Sequence, residues 1–183
     1  MEEFTLRLIL SKEIAKIQNS DIKALVRAVL DKVPEDFWKR ETSLTYHPED
    51  ERGLNGNLLH TLRVLKLVDT IVQIGSWSRN EHDALRAAAI LHDCLRHGLQ
   101  GKMPYSHKDH AGLVRRFIES HKIESNWSDE ICSVIESHYG KWGKGIEYIP
   151  TISPRAVLLL ADYIAAREDV EVKIFAEVKE DKE

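Results

Sequence analysis

The stretch Ala87-Ala88-Ala89-Ile90-Leu91-His92-Asp93-Cys94-Leu95 sets an imidazole and a carboxylate among seven apolar residues. A segment this apolar belongs in a core, and a charge carried into a core costs several kcal/mol unless it is paired or meets a cation. The same conflict recurs in Leu158-Leu159-Leu160-Ala161-Asp162-Tyr163-Ile164-Ala165-Ala166. Both stretches read as helices. The first runs from about Asn80 to His97 and closes at Gly98, and the second opens at Ser153 with Pro154 in its first turn.

Working outward, apolar residues spaced by three and four predict further helices. Ile22, Leu25, Val26, Val29 and Leu30 follow a cap at Ser20-Asp21 and stop at Pro34. Leu58, Leu59, Leu62, Leu65, Val68, Ile71 and Val72 run from about Asn57 to Ile74, with Gly75 as the stop, and put His60 and Arg63 one turn apart. Ser106 with Asp109 predicts a capping box for a helix reaching about Ser120, and Ser128-Asp129-Glu130 opens another that ends at Gly140. Residues 34–56 hold two prolines and two glycines without a period, so they read as a long loop. Phe4, Leu6, Leu8 and Leu10 alternate, as do Val170, Val172, Ile174 and Val178, which predicts a small terminal β pairing. The fold class expected is all-α, a bundle of about six or more helices.

With 183 residues, 43% hydrophobic and 31% charged, the chain fits one soluble domain. Acidic residues outnumber basic ones by 30 to 26, which disfavours duplex DNA as a partner and leaves room for a small phosphorylated molecule or a short single strand. The two cysteines, Cys94 and Cys132, form no CxxC pair and are expected to be reduced core residues. No apolar run approaches the roughly 20 residues of a membrane span and Met1-Glu2-Glu3-Phe4 lacks a basic start, so the expected location is the cytoplasm, away from membranes.

A lone helical histidine is ordinarily a surface or hydrogen-bonded core residue, and His60 by itself would support no site. The two carboxylates in apolar helices change this, because His60, His92, His110 and His138 are available on other helices. One shared cation explains both buried charges, and bundles build metal sites from side chains that project inward from facing helices. An imidazole and carboxylate set suits manganese, iron, magnesium, nickel, cobalt or zinc and needs no thiolate.

The order His60, His92-Asp93, Asp162 resembles the H…HD…D signature of the HD-domain superfamily of metal-dependent phosphohydrolases. Its surroundings are similar too: AAILHDCLRHG (residues 88–98) resembles the family's LHD segment, and LLLADYIAAR (158–167) its closing helix. HAGLVRRFIES (110–120) and ESHYGKWG (136–143) resemble segments that add two histidines in two-metal members, bacterial diadenosine tetraphosphate hydrolases and 3′-to-5′ exoribonucleases among them. TYHPEDERGLNGNLLHT (45–61) is similar to a segment of many bacterial HD proteins, with Thr45, Asn57 and Leu59 in place of its lysine, glycine and arginine. The resemblance covers residues 44–168 as the metal-binding core, preceded by a helical extension over 1–43 and followed by a tail over 169–183.

The resemblance implies two divalent ions, one on His60, His92, Asp93 and Asp162, the other on Asp93, His110 and His138. It implies hydrolysis of a phosphoester or phosphodiester in a nucleotide or short oligonucleotide by a metal-activated hydroxide, with Asp93 and Arg96 catalytic. Arg63, Lys141, Lys144 and Arg167 are candidate phosphate contacts, and Tyr139 and Trp142 are candidates for stacking on a base. His47 and His107 are reserve ligands, His107 one turn before His110. Two other functions use the same residues: mixed-valent di-iron oxygenase chemistry, and nucleotide sensing without turnover.

Overall fold

The computed structural model describes residues 2–43, 45–138 and 153–174, and among them every regular element is helical. The helices are α1 (Glu3–Ala15), α2 (Ser20–Leu30), α3 (Asp36–Lys39), α4 (Gly56–Ile71), α5 (Arg79–Leu91), α6 (His110–Ser120), α7 (Ser128–Ser137) and α8 (Pro154–Ala165). Short 3₁₀ turns lie at Glu49–Glu51 and Val72–Ile74. The all-α architecture expected from the sequence is the one found. None of the described helices is long and apolar enough to cross a membrane.

Two helices organise the rest. α5 is buried without interruption from Asp83 to Leu91, so it has no solvent face over its last two turns. It touches α2, α4, α7 and α8. α4 lies against α5 and α8 and also reaches α1 and α3. Leu58, Leu62, Leu65 and Val68 of α4 meet Leu85, Ala88 and Ile90 of α5 and Val157, Leu158 and Ala161 of α8 in one core. Burying each large apolar side chain contributes about 1.5–3 kcal/mol. The alanines at 87–89 leave room for helices to approach α5 from several sides, so the chain past Leu91 runs through the middle of the molecule.

Five local readings need correction. Phe4, Leu6, Leu8 and Leu10 lie on α1, where Leu6, Leu10 and Ile14 are buried at a spacing of four while Phe4 and Leu8 face outward. Residues 171–174 form no strand, and Val178 lies outside the described residues. The cap of α2 is Asn19, whose side chain accepts from the amides of Asp21 and Ile22. The capping box predicted for α6 is not made: the Ser106 hydroxyl accepts from Arg96 Nε, and Asp109 pairs with Arg116. The helix predicted from Asn80 to His97 ends at Leu91, and tight turns with Cys94 N–H to Leu91 and Arg96 N–H to Asp93 carry the chain onward to Gly98. The long loop over 34–56 contains α3 and a 3₁₀ turn.

Asp83, 2% exposed, ties the α1–α2 connection to α5, because its Oδ2 accepts from the backbone amides of Gln18 (2.9 Å) and Asn19 (2.8 Å). Removing an ionic acceptor strands both amides. Asp83→Ala should destabilise the protein by about 2–3 kcal/mol, lowering the thermal midpoint by roughly 5–10 °C. Chemical denaturation checks this, and a loss below about 0.5 kcal/mol would show that the connection finds other partners.

Candidate metal centre

The ends of three helices deliver three of the histidines. His92 is the C-cap of α5, His138 is the C-cap of α7 and His110 is the first residue of α6. Helix ends leave carbonyls without intrahelical partners, and these imidazoles use carbonyls three residues back. Nδ1–H of His92 donates to Ala89 (2.8 Å), that of His110 to His107 (2.9 Å) and that of His138 to Ile135 (2.6 Å). With Nδ1 committed in this way, each ring turns its Nε2 inward.

Asp93 stands where those lone pairs converge. Its Oδ1 lies 3.1 Å from His110 Nε2 and 3.8 Å from His138 Nε2, and its Oδ2 lies 3.8 Å from His92 Nε2. Asp162 of α8 faces the opposite flank, with Oδ1 3.0 Å from His60 Nε2 and 3.7 Å from His92 Nε2. The residues sort into groups able to hold an ion: His60, His92 and Asp93 in one, Asp93, His110 and His138 in another. Asp93 belongs to both. Donor atoms about 2.1 Å from a common ion and 90–109° apart around it would sit about 3.0–3.4 Å from one another, close to the 3.0–3.8 Å separations here. His92 Nε2 and Asp93 Oδ1 are buried without a hydrogen-bond partner. The Nε2 atoms of His110 and His138 are 3.2 Å apart, a spacing that a shared cation or proton relieves. The residues therefore fit a divalent ion on nitrogen and oxygen donors. Neither cysteine belongs to these groups, and burial raises Cys132 to about 11 and Cys94 higher still.

A buried carboxylate, Asp93, and a half-buried one, Asp162, stand among the imidazoles and Arg96. Burial opposes ionisation of Asp93, but Arg96, His92 and His110 outweigh it and hold the carboxyl well below its usual range. Asp162 is depressed too, against burial, by the hydrogen bond from His60 and the other imidazoles. Burial lowers His92, and lowers His138 to about 4. His60 is raised to about 10 despite complete burial, since Asp162 and Glu51 flank it. Asp93 raises His110 against burial, so a divalent ion would bind the ionised carboxylates and the neutral His92 and His138 rings while displacing protons from His60 and His110.

Arg96 sits inside this site. It is 9% exposed, donates from Nη1 to Asp93 Oδ2 at 2.9 Å and is steadied by Ser106 at 2.7 Å. His110, not His107, turns toward Asp93; His107 Nδ1 accepts the Asp109 amide. Arg63 is committed to Asp50 and Glu51, at 2.6–2.9 Å. Arg167 is exposed and pairs with Asp169 over the ring of Tyr163. Lys141, Lys144, Tyr139 and Trp142 lie outside the described residues. The structure adds a group that the sequence reading passed over, Glu51, wholly buried beside His47 and His60. Its place in the acidic run Glu49-Asp50-Glu51 looks solvated, and the paired imidazoles of His47 and His60 were the signal available.

Comparison with known proteins gives two results. The HD domain family model matches residues 57–172. The 3′-5′ exoribonuclease YhaM of Listeria welshimeri is 23% identical over 185 residues; the match takes in 93% of this chain and 56% of that protein, so the chain spans little more than half the length of its relative. No solved structure gives a significant match.

A protein that binds an ion only when folded is stabilised by it. Titrating the chelator-treated chain with Mn²⁺ to a hundred times the dissociation constant should add about 2.7 kcal/mol, a rise of roughly 5–11 °C in thermal midpoint. A midpoint indifferent to millimolar Mn²⁺, Zn²⁺ and Fe²⁺ would count against the centre.

Proposed function

The chain belongs to the HD-domain family of metal-dependent phosphohydrolases, and on that premise we propose that it hydrolyses a phosphoester or phosphodiester of a nucleotide or short oligonucleotide at a two-metal centre. The observation that carries this reading is the position of Asp93, whose two oxygens face separate histidine groups. His60, His92, Asp93 and Asp162 hold the first ion, and Asp93, His110 and His138 hold the second. The nucleotide substrate is supported by the exoribonuclease activity in the name of the relative. It also favours hydrolysis over oxygenase chemistry on the same ligands.

When bound, divalent ions lower the pKa of water toward about 7 and neutralise charge on phosphoryl oxygens. The chain does the rest. Arg96, His92 and His110 hold Asp93 well below its usual range, so it would meet a cation as a carboxylate. Arg96 holds Asp93 in register with one Nη1–H and Ser106 with Nε–H, which leaves its other donors for a phosphate oxygen. Arg96, Lys141, Lys144 and Arg167 are the proposed phosphate contacts; Arg63 instead holds the loop that carries Glu51.

A screen of nucleotides and short oligonucleotides with Mn²⁺ tests the reading. Asp93→Ala should remove turnover altogether, and activity near wild type would take Asp93 out of the site. Arg96→Ala should lower kcat by roughly 10²-fold with metal content intact, the loss expected for one donor to developing charge. An unchanged kcat would make Arg96 a structural partner of Asp93 and Ser106 only. Elemental analysis should give two ions per wild-type chain and one in His110→Ala and His138→Ala. A single ion in all three would leave a mononuclear enzyme.

A further inference from the structure

His60 differs from the other three histidines. His92, His110 and His138 sit at helix ends and give Nδ1–H to a carbonyl three residues back. His60 lies inside α4, where nearby carbonyls are already used by the helix, and Asn57 O also accepts the Thr61 hydroxyl. It needs an acceptor from elsewhere. The group facing its Nδ1 is Glu51, with Oε2 3.2 Å away in ion-pair contact, and Nδ1 makes no regular hydrogen bond to any other group. On the far side of the ring, Nε2 meets Asp162.

Glu51 is held firmly for a loop residue. Its side chain is fully buried, Oε2 accepts from His47 Nδ1 at 2.8 Å, and Oε1 accepts from Arg63 Nη1 at 2.6 Å. Its carbonyl accepts from the Thr42 amide and hydroxyl. Gly56, the first residue of α4, packs so close that a Cβ there would overlap the Glu51 carbonyl. The helix that carries His60 and the loop that carries Glu51 are thereby fixed to each other.

We propose that Glu51 is a positioning residue for the first metal: it accepts Nδ1–H of His60, fixes that tautomer and aims Nε2 at the ion beside His92, Asp93 and Asp162. His47, Glu51 and His60 could also be taken as a separate metal site. The Arg63 guanidinium on Glu51 argues against a further cation there, as does a His60 ring already engaged through Nε2. Carboxylates behind ligating imidazoles orient the ring and raise its basicity, and their loss weakens metal binding about 10–100-fold. The inference rests on the metal-centre reading above.

The test uses the full chain, ¹⁵N-labelled at histidine and loaded with Zn²⁺. In the wild type, the His60 Nδ1 proton should be present and resonate further downfield than those of His92, His110 and His138, because its acceptor is a carboxylate. This readout needs no variant to fold. A His60 ring bound to zinc through Nδ1, or a proton resonating with the other three, overturns the proposal. In Glu51→Gln, the downfield His60 signal should be lost while the other three persist, and the affinity for the first Zn²⁺ should fall about 10–100-fold. The number of ions bound at saturation should not change. Equal affinity, or one fewer ion with the remainder unchanged, also overturns it, the second outcome making Glu51 a ligand. Failure of the wild-type chain to bind Zn²⁺ at His60, His92 or Asp93 would overturn the metal-centre reading instead.

Discussion

A buried carboxylate in the middle of an apolar helix-turn segment is the constraint on which the rest depends. Asp93 is 3% exposed and follows nine buried residues of α5 and the His92 cap. An unpaired charge there would cost several kcal/mol, a large share of the stability of any domain. Arg96 offsets part of that cost, and inward-facing imidazoles surround the rest. The arrangement is balanced only if positive charge can enter between Asp93 and the histidines. Stability and metal binding are thus one problem solved by one set of side chains.

Helix termination is the device that solves it. α5 and α7 stop where an imidazole is needed, and α6 starts at one. A continuous helix would use the carbonyls of Ala89 and Ile135 for its own amides. Ending the helix turns them to the rings of His92 and His138, with Ile135 O also accepting the His138 amide, and the tight turn at His107 offers its carbonyl to both the amide and the ring of His110. α4 cannot break at His60, because its middle packs against α5 and α8. There the loop from His47 to Gly56 folds back over the helix and brings a carboxylate with it.

What the sequence revealed follows from what is local. His92-Asp93 and Asp162 stood out because a charge in an apolar run conflicts with its surroundings, and the structure brings both into one cluster with His60, His110 and His138. Arg96 was named through the resemblance together with its place three residues after Asp93, with which it pairs. α1 was misread because Phe4, Leu6, Leu8 and Leu10 satisfy a period of two, although Leu6, Leu10 and Ile14 satisfy a period of four over a longer window. The false cap at Ser106 had the right residues at the right spacing, but Arg96, distant from it in local pattern, competed for the hydroxyl. Glu51 was invisible for a related reason: its burial comes from the backbone of Thr42 and Gly56 and from Arg63, none of which a local pattern encodes.

The central claim is that Asp93 joins two ions. Anomalous diffraction at the manganese edge from crystals of the full chain grown with Mn²⁺ tests it most directly. The account predicts two peaks about 3.5–4 Å apart, one within reach of His60, His92 and Asp162, the other within reach of His110 and His138, with Asp93 touching both. Two peaks that do not share Asp93, or a single peak wherever it lies, would contradict the account.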